Sequence, residues 1–209
     1  CGTGRHIQEF FRLGFNVDGS DLSDDMVHVA RANAKKNGIP STFYNESFQT
    51  SARIQKKYDV VLAMFSAINY LTTYDDFSLA LSNIKSLLKD NGIFIFDFWN
   101  GNAVLNSFSP RREKKAETDN MSIIRSSKTT LDQVAQIARI KFDFELFESK
   151  KNIANFSEVH QIRYFFPQEM HDLLRANKFE VIWKCPFLEI DNPITPKDWN
   201  LTHLARPFA

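Results

Sequence analysis

Cysteine is almost missing from this chain. Cys1 and Cys185 are the only two, far apart and outside any Cys-x-x-Cys or Cys/His cluster. Such usage excludes a disulfide framework and a structural zinc site, and it fits a reducing compartment, so a cytoplasmic location is expected. An excess of one charge sign is missing as well: 26 basic residues face 25 acidic ones, a formal charge of +1. With no surplus of positive charge to neutralise phosphates, nucleic acid is not an expected partner. Long hydrophobic runs are absent too. The most apolar stretch, GIFIFDFW, is far too short to span a bilayer, and no charged-then-apolar signal precedes it, so no membrane partner is expected. Glycine is scarce, seven in 209 residues, yet two of the seven stand in the opening CGTG.

The residues that are present suffice for one well-buried domain: 43% are hydrophobic, and 20 phenylalanines imply a large aromatic core. RHIQEFFRLG has apolar residues at near-helical spacing with Gly14 as a left-handed stop. FNVDGSDL reads as a strand. Ser23 caps a helix over SDDMVHVARANAKKNG, with Asp24 and Asp25 in its first turn, lysines in its last and Gly38 closing it. STFYNES and YDVVLAMF read as strands, the second buried; Thr73 and Asp76 form a capping-box pattern before TYDDFSLALSNIKSLLKDNG, and GIFIFDFW is the next strand. Strands alternating with helices predict an α/β fold, a parallel sheet with helices on both faces.

The texture changes at SFSPRREKKAETDN, a polar stretch that reads as loop. Beyond it MSIIRSSKTT, QVAQIARIKFDFELF and ANFSEVHQIRYF have period two or are rich in β-formers, as in an inserted antiparallel sheet. Pro167 then opens a helix, and FEVIWKCPFL and WNLTHLARP close the chain as strands. The expected divisions are 1–107, 108–165 for the insertion, and 166–209 for the last helix and closing strands of the same domain. No internal repeat or low-complexity tract is present.

The glycine pair narrows the chemistry. A dinucleotide fingerprint needs a third glycine where Ile7 stands, and the Gly-Lys-Ser/Thr of a P-loop occurs nowhere. A turn that presents backbone N–H groups at a helix start suits a carboxylate or another anion. Asp21 lies seventeen residues beyond Gly4, close to the spacing at which a carboxylate meets ribose hydroxyls on such a sheet. Together they describe a pocket for a nucleoside with a charged tail.

CGTGRH, VDGSDLSDDMVHVAR, the segment from YDVVLAMF through DFWN, and HQIRYFFPQEMHDLLRANKFEV resemble a class I S-adenosylmethionine-dependent methyltransferase. Within that superfamily the chain is most similar to the small-molecule branch that includes the amino-sugar N-methyltransferases. The resemblance implies a Rossmann-like sheet with an antiparallel β flap after the family's fifth strand. It also implies a first strand directly before CGTG, absent from this chain, whose central place would leave two strand edges unpaired.

By the same resemblance Gly2 and Gly4 line the methionine moiety of S-adenosylmethionine, with Cys1 and Thr3 nearby; Asp21 binds the ribose, with Leu22 and Met26 against the adenine. Where the family has an acid for the adenine amino group this sequence has Ser47, so that contact falls to Ser47 or to the backbone of Phe48. Met64, Phe65 and Ser66 lie near the sulfonium. They are not the Asp/Asn-Pro-Pro-aromatic motif of base methyltransferases, so a nucleobase amine is not the expected acceptor. Catalytic candidates are Tyr70, His160 and Tyr164, the last two sharing a strand face; substrate candidates are Asn69, Trp99, Asn100 and Arg163, with Arg163 on the opposite strand face. The chemistry requires no metal, and S-adenosylhomocysteine is the product. The expected acceptor is the N or O of a small polar metabolite, first a sugar-linked amine. The alternatives are an amino acid, a lipid-derived acceptor, or a non-catalytic S-adenosylmethionine-binding module; the partners implied are the acceptor and, at most, a second copy in a homodimer.

Overall fold

A computed structural model describes residues 1–208. The chain divides into two compact units, Cys1–Tyr58 with Ser78–Lys89, and Asp59–Phe77 with Asp90–Ala209.

The first unit begins with the glycine turn, in which Gly2 and Gly4 have φ of 53° and 78° and the Gly4 N–H donates to the Cys1 carbonyl over 3.2 Å. Helix α1, Arg5–Arg12, follows and buries Ile7. It stops as expected at Gly14, where φ is 88° and the Phe15 N–H turns back to the Phe10 carbonyl. Strand β1 is Gly19–Ser20, a much shorter element than FNVDGSDL predicts, and pairs in parallel with β2, Phe43–Tyr44. Between them runs helix α2, Asp24–Lys36, with the Ser23 hydroxyl accepting the Met26 N–H. Val27, Ala30 and Ala34 recur at three and four residues on its buried face and pack with Ile7, Ile39 and Phe43. Asp18 ties the segments together, accepting from the Thr42 N–H at 2.9 Å, the Tyr58 hydroxyl at 2.9 Å and Lys56 at 2.5 Å. Helix α3, Tyr74–Leu87, starts at the Thr73 cap, whose hydroxyl accepts the Asp76 N–H and donates to the Asp76 carboxylate.

The second unit contains two sheets. One comprises β3, Tyr58–Ala63; β4, Leu88–Trp99; β9, Phe179–Pro186; and β10, Asn200–Pro207, in the order β3-β4-β10-β9. Strand β10 runs antiparallel to both neighbours, with Leu201 opposite Phe98 on one side and Pro186 on the other. Phe94, Phe96 and Phe98 of β4 are fully buried, as is Cys185 of β9. The other sheet is the flap, a four-stranded antiparallel meander of β5, Arg111–Glu117; β6, Met121–Asp132; β7, Ile137–Glu148; and β8, Lys151–Arg163. Helix α4, Gly101–Ser107, precedes the flap and α5, Pro167–Ala176, follows it; Pro167 opens α5 and Glu169 accepts the Phe166 N–H.

The expected break in the sheet is present: β1–β2 forms a sheet of its own, and no described strand joins it to β3. Two expectations are corrected. With β3 at an edge, Val60 and Leu62 are 43% and 41% exposed, so YDVVLAMF is not the buried strand its apolar run suggests. The polar stretch RREKKAE is not loop but β5. Its side chains are all exposed, so burial left no alternating pattern in the sequence, and it is held by its ladder to β6.

Candidate active site

The anion-turn residues lie in the first unit. Asp21 Oδ2 accepts the Gly2 N–H at 2.7 Å, and Oδ1 accepts the Ser23 N–H at 3.0 Å. Burial opposes ionisation of Asp21, and the hydrogen bonds from the Ser23 and Gly2 amides favour it. The side chain keeps 24% of its exposure, and a carboxylate offers about four lone-pair directions, so a further donor can still reach it. A Cβ on Gly2 would meet nothing within 4 Å, which leaves that side of the turn open. Leu22 and Met26 beside Asp21 are 76% and 43% exposed, so Met26 does not belong to the α2 core. An open glycine turn, a partly free carboxylate and two exposed apolar side chains fit a nucleoside with a charged tail.

The other residues expected here have local partners. The Thr3 carbonyl accepts from Asn33, and the Cys1 thiol approaches the Gly2 carbonyl at 3.7 Å. The Ser47 hydroxyl meets Thr50 Oγ1 at 3.2 Å and accepts the Gln49 N–H, while the Phe48 carbonyl accepts from Ser51 and Asn83. Ser47 and Phe48 therefore build a turn, in which the Ser47 hydroxyl and the Phe48 carbonyl are engaged by the protein itself.

Two of the three candidate catalytic residues, Tyr70 and His160, come together in the second unit. Phe65, Ser66, Tyr70, Trp99, Ile140, Phe142, His160 and Ile162 line a cavity of about 170 Å³. Met64 and Phe65 follow β3, and Ala67–Tyr70 forms a 3₁₀ turn that carries Tyr70. The Tyr70 hydroxyl lies 2.7 Å from His160 Nδ1, and His160 Nε2 lies 3.2 Å from Glu158 Oε2. A carboxylate only accepts, so Nε2 carries the proton and Nδ1 is free to accept from Tyr70. Burial, and secondarily the charge of Glu158, raise the Tyr70 pKa and keep the phenol protonated. Phe142 meets the His160 ring edge-on at 5.2 Å and restrains its tilt. Glu158 was not singled out from sequence, although it sits two residues before His160 and so on the same strand face.

Four expected site residues are corrected. Tyr164 is fully buried against Phe166, and its hydroxyl has no hydrogen-bond partner. Strand β8 ends at Arg163, so the face alternation that would pair Tyr164 with His160 does not extend to it. Arg163 is a structural residue: it pairs with Glu169 at 2.6 Å, donates to Gln136 and lies over the Phe165 ring. Asn100 is fully buried and accepts the Asn102 N–H as the cap of α4. Asn69 is also fully buried, its amide donating to the Arg163 carbonyl at 2.6 Å and bracing the 3₁₀ turn. Trp99 does line the cavity, packed edge-on against Trp199 at 5.1 Å.

Behind the cavity lies a cluster that sequence reading missed. Asp97 Oδ2 accepts the Ser66 N–H at 2.9 Å, the Ser66 hydroxyl at 3.1 Å and Asn200 Nδ2 at 2.7 Å. The available signal was one acidic residue inside the apolar strand GIFIFDFW.

The fold is that of solved class I methyltransferases. Residues 1–92 match the family described as a methyltransferase domain. A methyltransferase structure from Clostridium acetobutylicum covers the whole chain with a TM-score of 0.85 at 18% identity, the chain spanning 82% of it. DesVI of Streptomyces venezuelae covers the whole chain with a TM-score of 0.78 at 22% identity, the chain spanning 81% of it. Among curated relatives, the dTDP-3-amino-3,4,6-trideoxy-alpha-D-glucopyranose N,N-dimethyltransferase of Streptomyces venezuelae is 24% identical over 174 residues, which is 81% of this chain and 68% of that protein. The putative methyltransferase YqeM of Bacillus subtilis is 24% identical over 181 residues, 87% of this chain and 71% of that protein. Among the described residues no helix is long and apolar enough to cross a membrane.

Proposed function

We propose that the chain is an S-adenosylmethionine-dependent methyltransferase that methylates the nitrogen of a small polar metabolite, a sugar-linked amine first among them. The observation that carries this reading is the Tyr70–His160–Glu158 relay at an aromatic cavity. The similarity to a curated sugar N,N-dimethyltransferase supports the choice of acceptor.

Gly2, Gly4 and Asp21 would hold the cofactor's charged tail and ribose, and Leu22 and Met26 its adenine. The cofactor supplies a methyl already activated on a sulfonium, so the chain's tasks are orientation and release of a nitrogen lone pair. An acceptor ammonium must first lose a proton. The Tyr70 oxygen takes it while the Tyr70 hydroxyl proton passes to His160 Nδ1, and Glu158 stabilises the resulting imidazolium through Nε2–H. Positive charge then builds on the acceptor nitrogen as the N–C bond forms. The faces of Phe65, Trp99 and Phe142 favour that charge.

The test is transfer of labelled methyl to a nucleotide-linked amino sugar, with glycine and a catechol as competing acceptor classes. Tyr70→Phe and His160→Ala are expected to lower kcat by roughly 100-fold, the scale of general-base assistance, with S-adenosylhomocysteine affinity unchanged. Full turnover in both variants would remove the relay from the mechanism, and transfer to glycine or catechol alone would replace the acceptor class.

A further inference from the structure

We propose that Asp97 and Asn200 are positioning residues for the candidate catalytic tyrosine: they clamp the Phe65–Ser66 turn in a left-handed conformation, and the turn in turn sets the Tyr70 hydroxyl against His160. Phe65 and Ser66 both have φ of 61°, a region that L side chains with a Cβ rarely occupy. Ser149–Lys150 is another such pair, with φ of 47° and 68°, but it sits in the β7–β8 hairpin, where the twist of the strands calls for positive φ. No hairpin imposes it at Phe65–Ser66. That turn leads from β3 directly into Ala67–Tyr70, so its dihedrals decide where Tyr70 points.

What holds the turn is a closed polar triangle. Asp97 Oδ2 accepts both the backbone N–H and the hydroxyl of Ser66, the Ser66 hydroxyl accepts from Asn200 Nδ2 at 2.8 Å, and Asn200 Nδ2 also donates to Asp97. Asp97 is fully buried, and its Oδ1 has no hydrogen-bond partner. A carboxylate kept in the core at that cost, with every contact concentrated on one oxygen, is arranged for the turn. The register supports the geometry: Asn200 stands opposite Trp99 on the antiparallel β10–β4 pair, two residues along from Asp97 and on the same face. Ser66 and Trp99 both line the cavity.

The inference rests on reading this cavity as the acceptor site, but its test needs neither cofactor nor acceptor. Failure to find methyl transfer would leave the result readable. In protein labelled with ¹⁵N-histidine, the His160 signals are identified by their loss in His160→Gln. At a pH where the ring is neutral, the parent is expected to show well-separated Nδ1 and Nε2 shifts, the signature of one tautomer held by Tyr70 and Glu158. Asp97→Leu is expected to bring the two shifts together, and Ser66→Gly added to Asp97→Leu to separate them again, because glycine takes φ near 61° without a clamp. The proposal is overturned if Asp97→Leu leaves the separation as in the parent. It is equally overturned if the separation collapses and Ser66→Gly fails to restore it, since the carboxylate would then serve the core and not the turn. Should Asp97→Leu not fold, Asn200→Ala takes its place in the same measurement, with the same two outcomes deciding.

Discussion

Asp21 does two tasks at once. It ties the Gly2 and Ser23 amides to each other, and it keeps an exposed edge for a ligand. Asp21→Asn should retain part of the turn while losing the charged acceptor. Calorimetry with S-adenosylhomocysteine should therefore report binding weaker by about 1–3 kcal/mol, the cost of a charge-assisted hydrogen bond lost; unchanged affinity would remove Asp21 from the ribose contact. His203 is a residue of a different kind. It is 1% exposed, neither ring nitrogen has a partner, and Phe98 meets its ring at 4.9 Å. Burial, with Lys184 and His171 adding repulsion, lowers its pKa to about 3. The folded state thus refuses a proton that the unfolded chain takes near pH 6.5. Stability is whole above pH 6.5 and falls as the pH drops toward 3, by about 2 kcal/mol on reaching pH 5. Denaturant melts of the parent and of His203→Leu should show that slope in the parent and its loss in the variant.

Among the elements, β3 lies at a sheet edge. Val60 and Leu62 are exposed on it, and an edge with free backbone groups and apolar side chains invites pairing between molecules. β5, also an edge, carries Arg111, Arg112, Glu113, Lys114, Lys115 and Glu117, all exposed, and is guarded by its charge. Val60→Lys should lower self-association in light scattering at matched concentration; scattering equal to the parent's would show that β3 is not the adhesive edge. The same two strands mark what was legible in the sequence. Helices α2 and α5 could be read because caps, charges and glycine stops are local. The flap could be read because β6 to β8 have period two or β-rich composition. β5 could not, since a strand with no buried face leaves no pattern. In the site, His160 and Tyr70 could be named by residue type, but the bond between them spans ninety positions. Tyr164 was misplaced because the point at which a strand ends and its face alternation stops is a tertiary event.

At the scale of the whole molecule, one cysteine forms a clock. Cys185 lies buried in β9, its thiol pKa raised by burial and only partly offset by its contact with Trp183. A small free thiol in the same tube calibrates the reagent. Cys185 should follow only as fast as β9 and β10 part, so its rate times the opening and closing of one sheet edge without any ligand or mutation. If Cys185 reacts as promptly as a free thiol, that edge is open most of the time. If it waits for global unfolding, its labelling free energy will equal that of denaturant melts, and the chain will carry its own stability gauge into any mixture too crowded for spectroscopy.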